Sequence, residues 1–341
     1  MSDRSRQGNA TLAVRNLTKH FPVRQDLFNT LFGDKQVVHA VDNVSFNIGR
    51  EETFGLVGES GSGKSTTGRL IARLTEPTSG GVTLDGVDWF ALDRRELRRR
   101  RRDVQMIFQN PFASLDPRWT VQSIVAEPLA THGVATGAEL RRRVAELLVA
   151  VGLEPSHAQR FPHQFSGGQR QRIGLARALA LSPKLLIADE PVSALDVSVQ
   201  AQILNMMQEI QQRYRLSVLF ISHDLSVVKY ICDRVAVMYL GEVVEVTETD
   251  TLFRAPLHPY TQALLAAIPE PTTKRRTFAA IEGEIPSPIH PPSGCRFHPR
   301  CPRAQALCSQ KAPAFEEHAP GHWAACHFVE TPAPARGRRG E

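Results

Sequence analysis

Between residues 58 and 66 the chain reads GESGSGKST, a G-x-x-x-x-G-K-[ST] pattern that follows the strand-like run TFGLV at 53–57. A helical pattern carrying Leu70, Ile71 and Leu74 comes next, so the glycines lie where a strand turns into a helix. Gly58, Gly61 and Gly63 let the backbone bend until successive N–H groups point inward, and the helix N-terminus adds partial positive charge. A loop of this kind cradles phosphate oxygens. Lys64 then reaches the β- and γ-phosphates of a nucleotide, and the Ser65 hydroxyl is offered to Mg²⁺. The cradle expected to bind ATP is Gly58, Glu59, Ser60, Gly61, Ser62, Gly63, Lys64, Ser65 and Thr66.

A second apolar run, LLIA at 185–188, ends in Asp189 and Glu190. Alone, such a pair is often a solvated strand end. Beside a phosphate cradle, Asp189 can hold Mg²⁺ through water while Glu190 polarises the attacking water as general base. His223 follows the run VLFI at 218–221 with Ser222 between, so its imidazole should emerge at the same sheet edge, to contact the γ-phosphate or orient the water. Gln109 closes VQMIF at 104–108, and its amide oxygen can reach the metal and the water. Glu190, His223 and Gln109 are the expected catalytic residues, and Ser65, Gln109 and Asp189 the Mg²⁺ ligands.

A separate constellation lies near the end of the chain. Cys295, Cys301, Cys308 and Cys326 follow C-x₅-C-x₆-C-x₁₇-C in a proline-rich segment with little core of its own. Clustering of this kind in a reducing cytosol suggests metal before disulfides. Four thiolates suit a [4Fe–4S] cluster or tetrahedral zinc, the spacing matches no common zinc-finger arrangement, and unliganded thiols remain the third reading. His298, His322 and His327 are substitute ligands, and Cys232 reads as an ordinary buried cysteine.

These groups need a scaffold, and the residues from about 11 to 246 supply one by alternating apolar runs with helical patterns. TFGLV, LLIA, VLFI and VAVM at 235–238 are short and apolar on both faces, as central parallel strands are, and ligands bind at the carboxyl ends of such strands. Between Ser198 and Tyr214, Val199, Ile203, Met206, Met207 and Ile210 form one helical stripe. From Pro111 to Pro162 the pattern turns helical, most clearly over Glu139 to Val151, which predicts an inserted helical subdomain at about 111–165. Prolines accumulate from Pro256 to Pro292, predicting turns and extended chain. The expected division is an ATPase domain over 1–250, a cysteine-bearing extension over 251–330 and a disordered tail over 331–341.

Composition sets outer limits. With 341 residues and 42% hydrophobic content the chain can fill a substantial core, which excludes a disordered protein. MSDRSRQGNATL lacks the apolar region of a signal peptide, and no stretch approaches the ~20 apolar residues of a membrane span, so the expectation is a cytosolic chain that spans nothing. Net charge is +6, and seven arginines lie between Arg94 and Arg102, a run that reads first as a solvated face and second as a contact for nucleic acid or lipid headgroups.

FSGGQRQR at 165–172, ahead of a helix carrying Ile173, Ala176 and Leu179, makes the reading specific. It resembles the signature sequence of ATP-binding cassette (ABC) ATPases. The resemblance implies that Ser166, Gly167, Gly168 and Gln169 cap a helix against the γ-phosphate held by a facing subunit, so that two chains sandwich two nucleotides. It also makes Gln109 the Q-loop residue, the SALD stretch ending in Asp196 the D-loop, and Phe21 in LTKHFPV the adenine-stacking aromatic, with Phe28 and Phe32 as rivals. The implied fold is α/β, a P-loop NTPase nucleotide-binding domain of ABC type with an inserted helical subdomain and a small Cys-rich C-terminal extension.

QNPFASLDPR at 109–118, LFRAPLHPYTQALLAAIP at 252–269 and PPSGCRFHPRCP at 291–302 look like the ATPases of dipeptide and oligopeptide importers, and more like their second ATPase subunit. That resemblance implies peptide import, with nickel complexes or glutathione as other cargoes. It implies a related ATPase subunit as partner (a heterodimer, with a homodimer as the alternative), two permeases, an extracytoplasmic binding protein and a peripheral position on the cytoplasmic face of the membrane. It favours iron–sulfur over zinc at the four cysteines. A soluble cassette ATPase acting on nucleic acid or ribosomes is the runner-up. Such relatives usually carry two cassettes or long insertions, which this chain lacks, so no nucleic-acid partner is expected.

Overall fold

The runs that are apolar on both faces become the middle of a large sheet. In the computed structural model, which describes residues 10–23, 36–109, 114–268 and 283–329, the strands are β1 (Ala10–Pro22), β2 (Val37–Gly49), β3 (Thr53–Val57), β4 (Ser79–Leu84), β5 (Val87–Asp88), β6 (Val104–Ile107), β7 (Leu185–Asp189), β8 (Ser217–Ser222), β9 (Arg234–Tyr239), β10 (Glu242–Glu248), β11 (Glu316–Ala319) and β12 (His322–Ala324). Strands β6, β7, β8, β3 and β9 lie side by side in that order and are parallel. Strand β10 returns antiparallel to β9, and β12 and β11 continue the edge. A second, antiparallel sheet runs β2-β1-β4-β5.

The helices are α1 (Lys64–Ile71), α2 (Arg94–Arg100), α3 (Val121–Thr131), α4 (Gly137–Ala150), α5 (Gly167–Leu179), α6 (Val197–Tyr214), α7 (Leu225–Ile231), α8 (Thr249–Arg254), α9 (Pro259–Ala266) and α10 (Ala306–Gln310). Because side chains alternate along a strand, each central strand feeds two cores. Leu219 and Ile221 of β8 join Phe54 and Leu56, the second sheet, and Leu70 and Ile71 of α1. Val218 and Phe220 join Val57 and the apolar faces of α3, α4, α5 and α6. Helix α6 buries Ile203, Met206, Met207 and Ile210 as its stripe predicts, adds Leu204, and leaves Val199 at the margin. Among the described residues, no helix is long and apolar enough to cross a membrane.

Two expectations are corrected here. The proline-rich stretch is not all turns and extended chain, because α9 forms within its described part. Pro259 occupies the first turn of α9, where its missing N–H has no helical partner to lose. Nor does the C-terminal part lack a core. Glu245 of β10, 0% exposed, accepts the backbone N–H groups of Leu257 (2.8 Å) and His258 (2.9 Å) and pairs with His322 at 2.7 Å. Phe297 packs its ring against Tyr239, Tyr260 and His258. Phe28, Phe32 and residues 331–341 lie outside the described residues.

Candidate active site

The carboxyl ends of β3, β7 and β8 meet at one edge, and the loop from β3 into α1 wraps there. Two glycines fix its path. A Cβ on Gly58 would stand 2.1 Å from the Met238 carbonyl oxygen, and one on Gly63, at φ 104°, would stand 2.2 Å from that of Ala40. Any side chain at either place would force the loop off β9 or β2. Lys64 is buried and donates to the carbonyls of Gly58 and Glu59, each at 2.8 Å, closing the loop on itself. Burial pushes its pKa down, against the pull of the Glu190, Asp189 and Glu59 carboxylates.

Ser65, at the start of α1, donates its hydroxyl to Asp189 Oδ1 at 2.7 Å. The two oxygens are thus close enough to share one cation. Burial holds the Asp189 pKa above its ordinary value, with the Ser65 hydrogen bond opposing. Glu190 follows with φ 47°, a left-handed conformation that costs about 1–3 kcal/mol for a residue other than glycine. Its N–H donates to Ile221 of β8 at 3.0 Å. That turn delivers the carboxylate to a meeting point: Gln109 Nε2 lies 2.8 Å and His223 Nδ1 3.2 Å from the same oxygen, Oε2. Among the described residues Oε1 has no hydrogen-bond partner, so one oxygen is gripped and the other is free to face a water.

The remaining expected residues do not converge on this cradle. Ser166 caps α5 in a reciprocal box with Gln169 and is exposed, Gly168 is buried against Val199, and Asp196 stands exposed at the start of α6. Phe21, 38% exposed under the Lys19 ammonium, pairs in register with Val38, two residues before the Ala40 that abuts Gly63.

Comparison with known proteins settles the family. The family described as "ABC transporter" matches residues 41–193, and that described as "Oligopeptide/dipeptide transporter, C-terminal region" matches 244–308. The oligopeptide transport ATP-binding protein AppF of Bacillus subtilis (strain 168) is 54% identical over 322 residues, 93% of this chain and 97% of AppF. This chain belongs to the ATP-binding proteins of ABC transporters. The putative oligopeptide transport ATP-binding protein YkfD of the same organism is 51% identical over 321 residues, 93% of this chain and 95% of that one. Among solved structures, the dimeric post-hydrolysis state of the ATP-binding cassette MJ0796, bound to ADP and Pi, superposes with a TM-score of 0.61 at 32% identity, covering 70% of this chain and 98% of the other.

In this ABC ATPase the four C-terminal cysteines line one small cavity together with His298, His327 and Phe328. Burial raises the Cys295 thiol to about 11 and those of Cys301 and Cys326 above their ordinary value. No three of the sulfurs lie within 4.8 Å of one another. His322, a substitute ligand by sequence, is instead committed to Glu245. Cys232 is buried, as expected.

One set of contacts to the cradle, and a second cluster beside it, were not legible in its motifs. Tyr260 accepts the Glu59 N–H at 2.8 Å, and Arg300 grips the Glu59 carboxylate at 2.7 and 3.1 Å. Asp42, beside the cradle on β2, gathers His20, His39 (3.1 Å) and Arg296. The signal available was the arginine content of PPSGCRFHPRCP, where the cysteines and His298 alone carry a reading above.

Proposed function

We propose that this chain is the ATP-hydrolysing subunit of a peptide importer, held on the cytoplasmic face of the membrane by two permeases and paired with a second, related ATPase subunit. An extracytoplasmic binding protein delivers the cargo. The observation that carries the reading is the joint geometry of Ser65–Asp189 and of Glu190 with Gln109 and His223, in a chain whose C-terminal region matches the oligopeptide/dipeptide family. Loop 58–66 binds the triphosphate through its backbone N–H groups and Lys64. Ser65, Asp189 and Gln109 would hold Mg²⁺, which would supply charge neutralisation to the triphosphate. Glu190 takes the proton of the attacking water, and His223 orients that water or touches the γ-phosphate. Ser166 to Gln169 and Asp196, exposed here, face the partner's nucleotide, and Phe21 stacks on adenine.

A groove beside edge strand β6, lined by Leu74, Met106 and Phe108 together with Arg101, Glu127 and Arg177, offers a mixed apolar and charged seat for a permease segment. Movement at Gln109 passes to the permease there. Expressed with the permeases and binding protein of a peptide importer, the chain should fractionate with membranes and release phosphate when peptide is added. Recovery with ribosomes or nucleic acid instead would overturn the assignment.

The thiol cavity is assigned to a [4Fe–4S] cluster. Four thiols lining one cavity supply the ligand count such a cluster takes, and the match to the oligopeptide/dipeptide C-terminal region supports it over tetrahedral zinc, which takes the same number. Anaerobic purification should yield a brown protein with broad absorption near the visible blue; a colourless protein carrying stoichiometric zinc would refute the assignment.

A further inference from the structure

The loop from Cys295 to Cys301 carries, between two cysteines of the thiol cavity, three side chains that reach β2, β9 and the phosphate loop respectively. Arg296 pairs with Asp42 of β2 and with Glu242 (3.1 Å). Phe297, 1% exposed, is locked among Tyr239, Tyr260 and His258. Arg300, its side chain 5% exposed, forks onto both carboxylate oxygens of Glu59.

Glu59 is the second residue of the phosphate loop, and it is held at three points. Its N–H is taken by the Tyr260 hydroxyl, its carboxylate by Arg300, and its carbonyl by Lys64. Two of those three come from beyond residue 250. The bidentate fork fixes orientation as well as distance. Breaking the pair leaves the buried Arg300 guanidinium without its partner and frees the part-exposed Glu59 carboxylate, so the loop would rearrange rather than stay. The C-terminal part does not need this contact to stay docked, because Glu245 with His322, the Leu257 and His258 N–H groups and the aromatic cluster around Phe297 already secure it. The fork therefore acts on the loop more than on the extension.

We propose that Arg300, assisted by Tyr260, is a positioning residue for nucleotide binding: it holds Glu59 so that loop 58–63 is preformed for the triphosphate, and it links that loop to the thiol cavity through its neighbour Cys301. The proposal rests on the reading of residues 58–66 as the phosphate cradle. Preorganisation of this kind shows in affinity, since a loose loop must be ordered by the ligand itself.

The test uses the purified full-length chain and a fluorescent ATP analogue with Mg²⁺. Arg300→Gln and Glu59→Gln should each raise Kd about tenfold, within the range usual for coupled sites, and the double variant should be no weaker than the worse single. Arg300→Lys should recover part of the loss. In the chain assembled with its partner ATPase and permeases, KM for ATP should rise more than kcat falls, and in the isolated chain amides 58–66 should exchange hydrogen faster while 283–329 keep their protection. Cys301→Ser should weaken binding in the parent chain and add nothing to Arg300→Gln. Should Arg300→Gln fail to fold by circular dichroism, Tyr260→Phe removes only the hydroxyl, and a several-fold loss of affinity is then the expected result.

Lys64→Ala separates the two readings. If it abolishes binding while Arg300→Gln and Tyr260→Phe bind as the parent does, the cradle stands and the positioning role is overturned. If Lys64→Ala itself binds normally, the cradle reading has failed first. Additive losses for Arg300→Gln and Cys301→Ser would sever the link to the thiol cavity.

Discussion

Residues 58–66 are wedged among β2, β9 and the C-terminal part of the chain, whereas Ser166 at the start of α5 faces solvent with only its own helix to bond. Both are N-terminal ends of helices on the same chain, and both are expected to meet the same kind of phosphate. The first has its donors arranged and its charges braced before any ligand arrives. The second has spent its serine on capping Gln169 and is exposed. Under the proposed function, this contrast is that of a subunit that binds nucleotide alone and hydrolyses it only in company.

The largest effect should come from the complete half. Glu190→Gln keeps the contacts of Gln109 and His223 within reach but removes the base, so turnover should fall about 10²- to 10⁴-fold while ATP affinity holds; single-turnover phosphate release measures it. Normal turnover would take Glu190 out of that role. Ser166→Ala strikes the waiting half. It should leave nucleotide binding by the single subunit intact and lower hydrolysis by the assembled pair about a hundredfold, with about 1 kcal/mol lost from α5 as its cap goes. Size-exclusion in the Glu190→Gln background should show ATP-dependent pairing disappear. Equal loss of binding in the isolated subunit would erase the contrast between the halves.

A smaller effect separates the brace from the cradle it supports. His258 is buried, its Nδ1 accepts the Tyr260 N–H at 3.0 Å, and burial drives its pKa to about 4 from an ordinary 6.5. The unfolded chain therefore takes up this proton first as pH falls. Stability should be full above pH 6.5 and decline between 6.5 and 4, by on the order of 3 kcal/mol from this residue. His258→Asn, which keeps an acceptor and loses the proton site, should flatten that part of the curve in denaturant titrations at several pH values. An unchanged slope would mean that the ring is not neutral in the fold.

The contrast also explains what could be read in advance. The four central strands were legible because burial on both faces leaves short runs such as TFGLV and SVLFIS, and the cradle was legible because its residues are contiguous. Strands β1 and β2 escaped notice because they are half exposed and β1 pairs through several register shifts, so neither alternation nor a solid apolar run survives. Helix α9 was hidden by its prolines, which punctuate the start of a helix as readily as they forbid its middle. The grip of Arg300 and Tyr260 on Glu59 joins residues 241 and 201 positions apart, and nothing local in either segment announces the other.

The pairing of β12 with β10 bears on how this protein can be cut. A fragment ending near residue 250 would expose the N–H and C=O row of β10 to any passing strand and strip Glu245 of its histidine and both amide donors. Such a fragment should aggregate rather than serve as a minimal ATPase, for the sheet of the motor is finished by the part of the chain that is made last.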